Sequence, residues 1–292
     1  PSELELQARA RQALRGKQYR RALPLLLEMK EPTDALIAYT YYHGYQDYKK
    51  AERHYLAAAR QQVPTAYNNL AILYDYHLQH PQQAERWYQQ AIEQGQTTAL
   101  FNLALLYKNK FQDYPKAVLY YQKAIDEGDD DAAFNLANLY ANELQQPQAA
   151  EQLYQKLAAY GNIRAMHNLA YLYLEELNQP QEAAYYFKMS IEQGLIYEQE
   201  VLDVSEEYPV HIPFLFLMAQ GAYDYLYDFF QEEKAQTLQL TDKLKPIYYT
   251  LLYFLQDRFP KEYLRMGPEL KETVQEIIRE VERMRSIFAQ QN

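Results

Sequence analysis

Asn69-Leu70-Ala71-Ile72-Leu73-Tyr74 returns as Asn102-Leu103-Ala104-Leu105-Leu106-Tyr107, as Asn135-Leu136-Ala137-Asn138-Leu139-Tyr140 and as Asn168-Leu169-Ala170-Tyr171-Leu172-Tyr173, each copy 33 residues after the last. A period in that range is the signature of stacked supersecondary units. Other columns keep the same register. Alanines stand at 66, 99, 132 and 165 and again at 84, 117, 150 and 183, and aromatic rings at Tyr88, Tyr121, Tyr154 and Phe187. Gly95, Gly128, Gly161 and Gly194 close each unit. Stepping back by the same period brings Ala38, Tyr41, Ala51 and Tyr55 into line, so residues 33–62 form a fifth, more divergent copy.

Each copy reads as two helices. Ala66, Leu70, Leu73 and Tyr74 fall at i, i+4, i+7 and i+8, one stripe of a helix. Pro81, Pro147 and Pro180 suit the first turn of the second helix, where a missing N–H costs nothing, and Pro115 comes one residue later. The glycines suit a left-handed stop. The expected fold is all-α: a right-handed α-solenoid of antiparallel helix pairs, an alpha-alpha superhelix with a helical C-terminal cap. Its parts are an N-terminal helical hairpin over residues 1–32, five repeats over 33–195, and a capping or docking region over 196–292. In that last region, helices are expected over Ile196–Glu206 and Ile212–Glu233, broken at Pro209 and Pro213. Residues 244–256 are strongly apolar and aromatic. A long stripe from Leu270 through Val281 to Phe288 follows Gly267-Pro268.

Asn-Leu-Ala-x-Leu-Tyr followed by Ala-x-x-x-Tyr and by Ala91-Ile92-Glu93-Gln94-Gly95 resembles the Sel-one-like repeat, a relative of the tetratricopeptide repeat. The glycine ending is the Sel-one-like trait. The spacing from Tyr74 to Ala84 is closer to the tetratricopeptide pattern, and the Gly-x-Gly-Val insert is absent, so the copies read as a hybrid. The resemblance implies a scaffold for protein partners. It also implies that the outward side of each first helix lines a groove where asparagines bond an extended peptide.

That face supplies the candidate binding residues. It carries Phe101, Phe134 and His167 in one column, Leu105, Asn138 and Tyr171 in a second, and Asp75, Lys108 and Leu174 in a third. Arg164 belongs to a fourth, and the ladder Asn69, Asn102, Asn135 and Asn168 runs alongside. A face meant only for solvent would be mostly charged; each of these large apolar groups gains about 1.5–3 kcal/mol if fully covered. The expected cover is a protein or peptide from outside the chain. Three alternatives stay open: the asparagines bond neighbouring helices, the C-terminal segment fills the groove, or a second copy of the chain fills it; a homo-oligomer through the C-terminal helix is a separate possibility.

Composition sets limits. A formal charge of −10 argues against nucleic acid and anionic membranes as main ligands, and no apolar run is long enough for membrane insertion. Without cysteine there is no disulfide and no thiolate site. His77 and His80 fall at a turn rather than in a metal-ligand set, and no phosphate loop or nucleophile elbow occurs. The expectation is therefore no enzyme, no cofactor and no metal. Pro1 in place of an initiator Met points to a cut start, which keeps a regulatory segment of a larger protein, or a self-associating scaffold, as rival functions. The compartment stays open, with the cytoplasm preferred to the periplasm.

Overall fold

The computed structural model describes residues 2–30, 33–194, 211–237, 244–256, 261–265 and 267–290, and every regular element among them is helical. The expected Ile196–Glu206 helix and the Pro209 break lie outside the described residues. The chain divides into two compact units, Pro1–Leu136 and Ala137–Asn292.

The first unit opens with the hairpin α1 (Glu3–Arg15) and α2 (Tyr19–Glu28). Ser2 starts α1 with a reciprocal capping box to Glu5. Ala10 and Leu26 of the hairpin share a core with Ile37 of the first repeat. Three helix pairs follow: α3 (Asp34–Thr40) with α4 (Tyr48–Arg60), α5 (Pro64–Ile72) with α6 (Pro81–Glu93), and α7 (Thr98–Leu106) with α8 (Tyr114–Asp126). Helix α9 (Asp130–Asn142) runs across the boundary. The second unit continues with α10 (Pro147–Ala159), α11 (Ile163–Tyr171) and α12 (Pro180–Glu192).

Two devices start the second helices. Asp47 and Asp113 accept from the backbone N–H groups of Lys50 and Lys116. Where that cap is lacking, at His80, Gln146 and Gln179, proline occupies the first helical position. Among the first helices, α9 and α11 are capped by Asp129 and Asn162. All the alanines of the two columns are fully buried, which lets paired helices approach closely, and Tyr55, Tyr88, Tyr121, Tyr154 and Phe187 fill the space between them.

The tight reversal inside each repeat has a cause that the missing Gly-x-Gly insert had hidden. Helices α3, α5, α7 and α11 each run into a π-helical turn, at Tyr41–Tyr45, Leu73–His77, Tyr107–Phe111 and Leu172–Glu176, whereas α9 continues unbroken. A left-handed residue then turns the chain: Gln46, Gln79, Gln112, Gln145 or Asn178. Each repeat has a second left-handed position at its end, taken by the expected glycines and, in the divergent copy, by Gln62.

At three places a tyrosine joins repeats twice over. Its ring packs, and its hydroxyl reaches a carboxylate on the preceding second helix: Tyr74 donates to Glu52 at 2.7 Å, Tyr107 to Glu85 at 2.5 Å and Tyr173 to Glu151 at 2.6 Å.

Gly44 tests the fit of the hairpin on the first repeat. A Cβ there would stand 2.3 Å from Tyr19 Cβ and 2.4 Å from Cγ, so Gly44→Ala must displace a ring. The expected loss is about 1–3 kcal/mol in urea unfolding. Gly267→Ala, where nothing lies within 4 Å, serves as the silent control.

The rest of the second unit comprises α13 (His211–Ala219), α14 (Tyr223–Thr237), α15 (Lys245–Gln256), α16 (Lys261–Leu264) and α17 (Pro268–Gln290). Pro213 does not break α13. It sits in the first turn, where a backbone donor has no intrahelical partner, and the break falls instead at Gly221, which is left-handed. The α17 stripe packs within this chain: Val274 and Ile278 share a core with Tyr263, Tyr249 and Phe254.

Candidate functional site

In the first unit the expected binding face is shaded rather than open. Asn69, Phe101, Asn102, Leu105, Lys108, Phe134 and Asn135 are all half-buried. Phe101 leans on Tyr121 with ring centroids 6.1 Å apart. The asparagine ladder is partly internal: Asn102 Nδ2 donates to Asn68 Oδ1 at 3.3 Å, linking adjacent repeats, while Asn135 Nδ2 donates to its own helix at Asp131 O. Asp75, placed on the outward face by sequence, is buried. Tyr88 donates to it at 3.4 Å, and burial pushes its carboxyl above the usual range against the pull of Lys110.

The second unit gathers the remaining candidates. Asn168 Nδ2 donates to Asn138 Oδ1 at 3.0 Å, and the Tyr154 hydroxyl donates to the same oxygen. Asn138, Asn168 and Tyr154, with Tyr171, Glu175 and Glu176, line a polar cavity of about 210 Å³. Arg164 is half-buried on the same helix as His167 and Asn168.

His167 corrects the expectation of a groove contact. It is 7% exposed, its ring lies 4.9 Å from Tyr171 and 6.1 Å from Phe187, and Nδ1 has no hydrogen-bond partner. Burial drives its pKa down to about 4, so it is neutral at pH 7. It is a core residue because the Phe187 and Tyr171 rings close around it.

Beyond Tyr171 a larger, mostly apolar cavity of about 570 Å³ opens between the last repeat and the C-terminal helices. Tyr171 and Leu174 form one wall, Leu215 and Phe216 of α13 a second, and Met284, Ile287 and Phe288 of α17 a third. Tyr171 and Glu175 line both cavities. At Tyr171 and Leu174, then, the chain's own helix stands opposite the face expected to await an outside cover, with space between them. Phe216 and Phe288 meet edge-on at 5.3 Å and close one end.

Glu175 and Glu176 are both solvent-exposed. Partial desolvation at the cavity edge raises the Glu175 pKa first and the adjacent Glu176 raises it further. Across the cavity Glu280 is held by Arg283, whose Nε donates to Oε2 at 2.9 Å.

The sequence missed Glu175, Glu176, Phe216 and Met284. The two glutamates were legible as a carboxylate pair directly after Leu174. Phe216 and Met284 lie beyond the repeats, where no register extends to place them.

Residues 35–63, 64–96, 130–162 and 163–195 match the Sel1 repeat, and residues 99–133 match a tetratricopeptide repeat. This chain carries Sel1 repeats. The Sel1 matches coincide with α3–α4, α5–α6, α9–α10 and α11–α12, and the tetratricopeptide match with α7–α8. No curated protein matches the chain. Among solved structures it is similar to a Sel1 repeat protein from Oxalobacter formigenes, 24% identical, covering 68% of this chain and 92% of that one at a TM-score of 0.47. It is also similar to a protective antigen of uropathogenic Escherichia coli with an SLR fold, 20% identical at a TM-score of 0.48, covering 96% of this chain and 59% of the antigen. A tetratricopeptide repeat protein from Parabacteroides merdae is 19% identical at a TM-score of 0.50 and covers 85% of this chain and 97% of its own.

The fold class is all-α, a solenoid of helix pairs, with no strand among the described residues. Repeats of this kind typically mediate protein–protein interaction, are generally non-catalytic, and bind proteins. No helix among the described residues is long and apolar enough to cross a membrane.

Proposed function

We propose that this protein is a non-enzymatic interaction module that holds a peptide or helix of a partner protein against the first-helix face of its Sel1 repeats. The hairpin of residues 1–32 and the helices of 196–292 act as caps on the repeat region of 33–195. One observation supports the reading above others: Asn138, Asn168 and Tyr171, nominated from sequence as partner contacts, converge on a single open cavity. The amide oxygens and N–H groups there suit the alternating donors and acceptors of a peptide backbone. Phe101, Leu105 and Phe134 hold the equivalent first-helix positions in the first unit, where their half-buried rims offer apolar contact.

Simple truncation is a poor probe, because Asn138→Ala would strand the Tyr154 hydroxyl as well as weaken a ligand. A photo-crosslinking side chain placed at 171 or 105, against a control at Gln82 on the second-helix surface, tests the face directly. The expected result is that partner adducts form at 171 and 105 at about tenfold the control yield, reflecting contacts confined to a central patch. Adducts at Gln82 equal to those at both face positions would end the proposal.

A further inference from the structure

We propose that the cavity between the last repeat and α17 seats a basic, apolar segment of a partner protein: a lysine or arginine set against Glu175 and Glu176, with a neighbouring aliphatic side chain entering between Phe216 and Met284. This rests on the reading above and names the chemistry of the partner.

Charge carries the argument. The two cavities, which share Tyr171 and Glu175 in their linings, present the carboxylates of Glu175, Glu176 and Glu280 against one guanidinium, Arg283. That guanidinium is already committed to Glu280. Among the described residues no lysine or histidine lines either space. An acidic or purely apolar occupant would leave Glu175 and Glu176 in a less hydrated site without a counter-charge, which is the costly way to fill it. A cation relieves both. Nucleic acid is repelled by the same groups.

Shape decides the second half. A volume of about 570 Å³ exceeds what one side chain needs and is lined by Leu174, Leu215, Phe216 and Met284, so an aliphatic group gains burial there. Glu175 and Tyr171 line both the polar and the apolar space, so a cation at Glu175 and an aliphatic group in the apolar cavity must be close neighbours on the occupant. The partner's backbone then runs past Asn138 and Asn168.

Fluorescence anisotropy with the full chain tests this, using three labelled synthetic peptides of equal length: one mixing leucine and lysine, one leucine and glutamate, one serine and lysine. At low salt the leucine–lysine peptide is expected to bind at least about tenfold more tightly than either of the others. Ile287 lines the cavity yet is 41% exposed, so both charged substitutions there are tolerated by the fold. Ile287→Lys should weaken the leucine–lysine peptide about tenfold while Ile287→Glu leaves or improves binding; a merely structural role would move both the same way. Equal binding of the leucine–glutamate peptide, no binding of any peptide, or identical behaviour of the two variants overturns the inference. Hexylamine binding as tightly as the peptide would make this a small-molecule site and also overturn it. Crosslinks at 171 and 105 would survive any of those results, so failure here is separable from failure of the broader reading.

Discussion

Tyr154→Ala is expected to cost about 3–5 kcal/mol of stability, the range for deleting a fully buried aromatic side chain. The ring is 2% exposed and occupies the column between paired helices that Tyr55, Tyr88, Tyr121 and Phe187 fill in the other repeats. Its hydroxyl also organises the polar cavity, donating to Asn138 and lying 3.5 Å from Asn168 Nδ2. Tyr154→Phe keeps the ring and removes the hydroxyl with its hydrogen bonds, so it should cost about 1 kcal/mol. Repeat arrays are held by nearest-neighbour interfaces. The alanine variant should therefore lose hydrogen-exchange protection first in α10 and α11, not uniformly. Urea unfolding that ranks phenylalanine as costly as alanine would show that the ring contributes little and the hydroxyl everything, contrary to the packing described.

Acid should destabilise the protein through His167 by up to about 3 kcal/mol. The histidine is neutral in the fold, with a pKa near 4 against 6.5 when exposed, because it is enclosed by Tyr171 and Phe187. Between those two values the unfolded chain binds the extra proton. Its contribution is therefore fully present above pH 6.5 and falls as pH drops toward 4. Asp75 and Glu175 act in the opposite sense, since burial raises both and protonation relieves them. Comparison with His167→Phe separates the effects. Phenylalanine is what the same column holds at Phe101 and Phe134, and it also removes the unpartnered Nδ1. The variant should match the parent to within about 1.5 kcal/mol at pH 7 and show a shallower loss of melting temperature on acidification. Parallel pH profiles for the two proteins would refute the assignment.

The repeat columns made the helix pairs legible because one physical constraint, stacking of identical units, writes itself into the sequence several times. Ala84, Tyr88 and Gly95 say the same thing as Ala117, Tyr121 and Gly128. What repeats weakly was read less well. Three of the four π-helical turns contain no glycine, and left-handed Gln79 and Gln112 break the usual residue preference, so the tight reversal was seen only as an odd spacing. Exposure failed for a different reason. Counting angles around one helix places Phe101, Asp75 and His167 outward, but neighbouring helices a short distance away shade that side. The candidate site was half legible: the repeat register names Asn138, Asn168 and Tyr171, which line one cavity, while the α13 and α17 walls of the second cavity beside Tyr171 come from sequence far outside the period.

The open surroundings of the left-handed glycines bear on how such a chain can change length. Nothing lies within 4 Å of where a Cβ would be at Gly95, Gly128 or Gly161. The joints are thus uncrowded points separated by a constant 33 residues. Splicing out residues 96–128 would bring Gly95 directly before Asp129, and every column downstream would meet an upstream partner of the same kind. Removing one residue more or fewer would rotate each following helix by about 100° and turn its alanines away. Growth or loss by whole modules is therefore the mutational path of least resistance for this gene, and a ruler of variable length is what that path produces.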